Sequence, residues 1–266
     1  CFTRADLPGD SAFRRQLQAA WHSDNKSLID YINAMLNLHR VQMAETWIEP
    51  PNYLSNIDDG SLKPGVFTIG FARRFSTYKR ADLIFDDIAA LSAILLEHQW
   101  PVNFIFAGKA HPQDEPGKSV LKMILDNQEE LYRRSKGLAR LVFIPGYDMA
   151  IAKMMVAGVH AWLNSPKRPL EASGTSGMKA AMNGVPNISV MDGWWVEGYH
   201  DGLTGWKFGY EGPIAEADMS EAPDALLYEE DAQSFYQVFP EILRTFYLEP
   251  ERYLEMAINN LRLNVP

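Results

Sequence analysis

Five short apolar runs, separated by helical stretches, constrain this chain more than any other feature. They are GVFTIGF (65–71), VNFIFAG (102–108), RLVFIP (140–145), HAWLN (160–164) and NISVM (187–191). They are too continuously apolar for strands with one wet face, so they read as strands buried on both faces. Between them the spacing predicts helices over 81–98, 115–135, 148–157 and 175–183. In the first of these Leu83, Ile84, Ile88, Leu91 and Leu95 line one face. Buried strands alternating with helices specify an α/β fold with a doubly wound, Rossmann-like parallel sheet. Ligands of such sheets bind beyond the carboxyl ends of the strands. The loops at 72–80, 108–112, 145–147, 165–175 and 192–198 are therefore expected to share one rim.

The flanks are helical. Over 10–45, Leu28, Ile29, Ile32, Met35, Leu36 and Leu38 recur at helix spacing, and the segment 49–53 with its two prolines breaks the pattern. Residues 220–228 are acidic and read as irregular; 230–262 read as two closing helices. The expected organisation is a single unit over 1–266: leading helices to 60, a core over 61–228, and closing helices over 229–266.

Composition narrows the function. The 266 residues carry 25 Lys+Arg against 34 Asp+Glu, a net charge of −9. Such a chain is a poor partner for nucleic acid or an anionic membrane surface. No apolar run approaches the roughly 18 residues of a membrane span. The single cysteine, Cys1, excludes an internal disulfide and points to a reducing compartment, the cytoplasm. The opening CFTRADLPGD resembles neither a signal peptide nor a natural start, so the chain reads as part of something longer.

Against this acidic background the basic segment ARRFSTYKR (72–80) stands out. Arg73, Arg74, Lys79 and Arg80 fall between a strand and a helix, where they suit an anion site or a solvated basic loop. A second segment, PLEASGTSGMKAAMNGVP (169–186), runs small residues straight into a helix. Free N–H groups and a positive dipole end at that helix start favour a phosphate. Gly184 and Pro186 supply the stop. Thr175 and Lys179 are four apart and share a face, so the lysine leans back toward the same end. Its amine suits Schiff-base chemistry, which needs a neutral amine, or a phosphate contact as in a nucleotide loop. Glu171 can accept hydrogen bonds from sugar hydroxyls or serve as a helix-entry carboxylate. The third segment, DGWWVEGYHDGLTGWKFG (192–209), offers three tryptophans that either wall a carbohydrate site or pack inward. The six histidines show no metal spacing, and one cysteine forbids a CxxC site; no metal is expected. His111, in GKAHP, lies on the expected rim.

Together these residues resemble the α-glucan (glycogen, starch, maltodextrin) phosphorylase family, most of all its shorter prokaryotic members. The family's cofactor pattern Glu-Ala-Ser-Gly-Thr-x-x-Met-Lys stands here as EASGTSGMK, and its phosphate segment as RRFSTYKR; Gly108-Lys109-Ala110 is also present. The resemblance implies the C-terminal half of a B-type glycosyltransferase fold, with an N-terminal domain outside this chain. It implies pyridoxal 5'-phosphate (PLP) as cofactor, joined to Lys179, its phosphate held by Arg73, Thr175 and Ser176, with Tyr147 near its ring. Arg74 and Lys79 would bind inorganic phosphate or the phosphate of glucose 1-phosphate, and Glu171, Ser173 and Gly174 the transferred glucose. The implied reaction is retaining phosphorolysis of α-1,4-glucan to glucose 1-phosphate, with the cofactor phosphate donating a proton to substrate phosphate. Family members often form homo-oligomers.

This sequence departs from family patterns at three points: Arg73 replaces a frequent lysine, Ser76-Thr77 a His-Glu pair found in the animal enzymes, and Asp148 a frequent arginine. Nucleotide-sugar transferases of the same fold class place a glutamate where Lys179 stands, which favours PLP over a nucleotide sugar. A nucleotide-sugar glycosyltransferase and a non-catalytic carbohydrate-binding remnant are the alternatives. The 266 residues alone are expected to turn over little or no glucan.

Overall fold

Six parallel strands form one sheet in the order β3-β2-β1-β4-β5-β6. They are β1 (Phe67–Ala72), β2 (Val102–Ala107), β3 (Ala139–Ile144), β4 (Ala161–Asn164), β5 (Asn187–Val190) and β6 (Gly205–Phe208). The computed structural model describes residues 11–45 (side chains of 11–35), 61–214 and 225–264. The helices are α1 (Ser11–Glu45), α2 (Ile88–His98), α3 (Glu115–Arg134), α4 (Met149–Gly158), α5 (Thr175–Ala181), α6 (Trp195–Gly198), α7 (Ala225–Leu248) and α8 (Pro250–Leu263). The α/β doubly wound class expected from the apolar runs is the one observed.

The runs form strands because both faces are covered. Along β1 and β2, Phe67, Ile69, Phe71, Val102, Phe104 and Phe106 enter one apolar cluster with residues of α2, α3 and α7. Ala72, Ile105 and Ala107 face the other way, into a cluster with Leu28, Ile29 and Ile32 of α1, Ile151 and Met155 of α4 and Ala180 of α5. That two-sided burial is what a parallel sheet requires. Helix α1 is tied on by Asn25, whose amide donates to Gly158 O at 2.8 Å and accepts from Gly65 N at 3.1 Å.

Strand order reverses between β1 and β4. There the register is short, Ile69 opposite Ala161 and Gly70 opposite Trp162, whereas β1 and β2 pair over six residues. The crevice beyond such a switch point is where open α/β sheets bind ligands. It is flanked by the loops after β1 and β4, the two segments that carry the basic cluster and EASGTSGMK.

Several elements differ from expectation. The helix expected over 81–98 begins at Ile88: Asp87 caps it by accepting from Ala90 N, and a 3-10 turn, Leu83–Phe85, precedes it. A sixth strand lies inside the segment read as a tryptophan loop. Residues 225–228, expected to be irregular, open α7. The break at 49–53 and the acidic residues 220–224 lie outside the described residues, as do the side chains of Leu36 and Leu38. Among the described residues no helix is long and apolar enough to cross a membrane.

Candidate functional site

The loop after β1 is shaped by a close approach. Arg73 N–H donates to Ala107 O at 3.2 Å and Phe75 N–H to Lys109 O at 3.1 Å, so the loop lies across the end of β2. Gly108 permits this: a Cβ there would fall 1.9 Å from Arg73 O. Phe75 anchors the loop in the core. A 3-10 turn, Thr77–Lys79, then brings Lys79 back to the crevice.

Two cations from this loop converge on one carboxylate from the loop after β4. The Arg73 guanidinium lies 3.0 Å from Glu171 Oε2, and Lys79 Nζ is ion-paired with the same oxygen. All three side chains are nearly buried, at 8%, 11% and 9% exposure for Arg73, Lys79 and Glu171. The cluster carries a net positive charge away from bulk water, where Coulomb terms are strong and an anion is favoured. Arg73 Nη1 is buried and has no hydrogen-bond partner among the described residues.

Glycine keeps the space beside this cluster open. Gly174 is left-handed (φ 84°), and a Cβ there would lie 3.6 Å from both Arg73 Nη2 and the Glu171 carboxyl carbon. Asp192, after β5, accepts from the backbone N–H of Glu171 at 2.9 Å and of Gly193 at 3.0 Å, fixing the segment that presents Glu171. Burial pushes the Asp192 carboxyl above the usual range, partly opposed by those two N–H groups. Trp194 N–H donates to Ser173 O at 2.8 Å, closing the other side.

Helix α5 follows at once. It is seated tightly: a Cβ at Gly177 would meet Asn187 Oδ1 at 2.6 Å and Trp194 Nε1 at 2.7 Å. Asn187 Nδ2 donates to Gly177 O, and Trp162 Nε1 to Ser176 Oγ at 3.3 Å. At its far end Trp21 of α1 donates to Asn183 O at 3.0 Å. Thr175 and Lys179 are exposed, and the Lys179 amine has no partner among the described residues. Arg74 is likewise exposed and unpartnered.

The sequence-named residues thus fall into two groups. Arg73, Lys79, Glu171 and Gly174 meet in one cluster, with Ser173 beside it. Arg74, Thr175 and Lys179 lie on the exposed rim. Tyr147 is half-buried against the α1/α4 apolar cluster, and burial raises its hydroxyl pKa. Asp148 has a local task, capping α4 by accepting from Ile151 N at 2.9 Å. His111 is exposed and accepts from Gln113 N, a turn contact. Of the three tryptophans, Trp195 and Trp206 are buried, so packing accounts for those two. Sequence reasoning missed Asp192, whose signal was a carboxylate two residues past a strand on the rim. It grouped Arg80 with the anion-site cations, whereas the Arg80 guanidinium is buried against Ser165 O, Pro166 O and Asp231. Among the described residues no cluster of His, Cys, Asp and Glu could hold a metal ion.

The family model for carbohydrate phosphorylases matches residues 10–254. The chain belongs to the carbohydrate phosphorylase family. It is 40% identical over 247 residues to maltodextrin phosphorylase from Thermococcus litoralis, covering 92% of this chain and 27% of that protein. It is 44% identical over 193 residues to glycogen phosphorylase from Aquifex aeolicus (72% of this chain, 26% of the relative). Glycogen phosphorylase from Mycobacterium bovis is 37% identical over 228 residues (84% and 25%). The chain therefore spans about a quarter of the length of these relatives.

The residues present fit a phosphorylated cofactor. A buried guanidinium nitrogen without a partner among the described residues, a left-handed glycine beside it, and, on the following helix, a lysine amine likewise without a partner among them form a suitable donor set.

Proposed function

We propose that this chain is the cofactor-bearing portion of a PLP-dependent α-glucan phosphorylase, releasing glucose 1-phosphate from terminal α-1,4-glucosyl units with retention. The convergence of Arg73 and Lys79 on Glu171 beside a glycine cradle carries the reading. Lys179 would hold PLP covalently, with its phosphate between Arg73 and the backbone N–H groups of Thr175 and Ser176, and Tyr147 toward its ring. When bound, PLP supplies a phosphate group able to exchange a proton with substrate phosphate.

The chain's own residues do the rest. Lys79 and Arg74 bind substrate phosphate and offset the repulsion between two phosphates, allowing them to share a proton. Glu171, Ser173 and the backbone of Gly174 accept and donate hydrogen bonds to the glucose hydroxyls. Orienting the sugar against bound phosphate replaces a bimolecular encounter by a positioned one. Without an anion, the Glu171 carboxylate pairs with both cations and leaves one positive charge unbalanced; with an anion bound, it is released toward the sugar. The reaction belongs in the cytoplasm, as part of a longer chain that supplies the opposite wall and further glucan contacts.

The test is direct. The pure chain is incubated with PLP, reduced with borohydride, and its peptides are mapped by mass. The adduct is expected on Lys179 and is expected to vanish in Lys179→Ala. An adduct scattered over surface lysines, with tight nucleoside diphosphate binding instead, would move the reading to a nucleotide-sugar transferase.

A further inference from the structure

Arg80 and Asp231 are 151 positions apart, and both are buried, yet neither is among the residues assigned to cofactor or substrate. Arg80 turns the chain immediately after Lys79 in a left-handed conformation (φ 44°). Its guanidinium spans three acceptors. Nε donates to Ser165 O at 2.9 Å, and Nη2 donates to Pro166 O at 2.7 Å and to Asp231 Oδ2 at 2.5 Å. Ser165 Oγ lies 3.1 Å from Lys79 O and 2.9 Å from Arg80 O, and Lys167 N–H donates to Tyr78 O at 2.7 Å. The other Asp231 oxygen accepts from Tyr210 N at 2.6 Å. One ion pair therefore joins the loops that follow β1, β4 and β6 to helix α7.

A buried ion pair returns little net stability because desolvation offsets attraction. A planar guanidinium that satisfies acceptors in fixed directions does set geometry. Here it fixes the loop of Lys79 relative to the loop of Glu171. We propose that Asp231, acting through Arg80, is a positioning residue that holds Lys79 against Glu171 and so sets the spacing between the anion-binding and sugar-binding groups. Its functional meaning rests on the roles proposed above for Lys79 and Glu171; the geometry can be tested without them.

The readout is the reactivity of the Lys79 amine toward acetic anhydride, followed peptide by peptide by mass. In the unaltered chain Lys79 is shielded and ion-paired, so it should react far more slowly than exposed lysines such as Lys122. In Asp231→Asn, which keeps shape and removes charge, the Lys79 rate should rise about tenfold as the loop loosens. Hydrogen exchange of the β1 and β2 amides should stay unchanged, which a general loss of structure would not allow. If Asp231→Asn does not fold, Arg80→Lys keeps the charge but loses the fork, and the Lys79 rate should rise several-fold. A Lys79 rate within about twofold of the unaltered chain in either folded variant overturns the proposal. Calorimetric titration with inorganic phosphate separates the two readings. A chain that binds no phosphate contradicts the anion-site roles, while the labelling result still decides whether Asp231 positions Lys79.

Discussion

His160 shows how little a residue's type says about its task. It lies at the amino-end of β4, with ring centroids 6.2 Å from Phe67 and 4.7 Å from Phe246. Its Nδ1 accepts from Thr68 N at 3.0 Å, and burial lowers its pKa to about 3. The unfolded chain, with an ordinary histidine near 6.5, therefore binds more protons than the folded one between those values. This contribution is complete above pH 6.5 and is lost progressively as pH falls toward 3. In His160→Asn the amide oxygen can still accept from Thr68 N, but the group no longer titrates. Urea unfolding should show a loss of about 1–3 kcal/mol at pH 7.5 from poorer packing and a changed hydrogen bond. The gap between the two proteins should then narrow as pH falls from 6.5 to 4; a constant gap would refute the assignment. Other residue roles were also hidden in the sequence. Arg80 and Lys79 are adjacent basic residues, but one faces the crevice and the other is buried beneath it. Nothing local distinguishes them, because the partner that decides is Asp231, 151 positions further along the chain.

At the level of elements, the joint between β1 and β2 organises the site. Gly108 has φ 155°, and an added methyl would overlap the Arg73 carbonyl and approach Phe75 Cε2 at 2.8 Å. Backbone cannot yield as a flexible side chain would, so Gly108→Ala should cost about 3 kcal/mol or more. It should also lift the Arg73 loop from β2 and abolish PLP attachment even in molecules that remain folded. Thermal unfolding and the borohydride adduct measure the two effects, and a normal melting temperature would contradict the argument. Elements such as β1 and β2 were legible because six consecutive buried residues leave no other reading. β6 was not legible: Gly205, Trp206, Lys207 and Phe208 form a four-residue edge strand embedded among glycines and tryptophans. The helix expected over 81–98 failed at its start because Leu83 and Ile84 continue the apolar face through a 3-10 turn. Asp86 closes that turn and Asp87 then caps α2. Periodicity reports burial, and burial continued across a change of helix type. The candidate site was legible as a set of residues near one rim. Its internal order, Arg73 and Lys79 sharing one carboxylate oxygen while Arg74 faces solvent, is a property of loop geometry.

On the scale of the whole molecule, the balance between enclosure and exposure decides what chemistry the chain can complete. The cations that meet Glu171 are buried, but Arg74, Thr175 and Lys179 stand open on the rim. Glycosyl transfer with retention passes through an electron-poor sugar that water at bulk concentration would capture. An open rim also leaves the charges of two phosphates and their cations partly hydrated, weakening each interaction on which proton sharing depends. A buried cluster should therefore suffice to bind anion and cofactor, and an open rim should not suffice for turnover. With PLP attached and with maltodextrin and inorganic phosphate supplied, the 266-residue chain is expected to form no detectable glucose 1-phosphate in an assay coupled to its consumption. The same preparation should carry the Lys179 adduct, so the silence would reflect the missing enclosure and not a missing cofactor. Sustained glucose 1-phosphate formation would show that this rim excludes water unaided, and the proposal that a second wall comes from a longer chain would then fall.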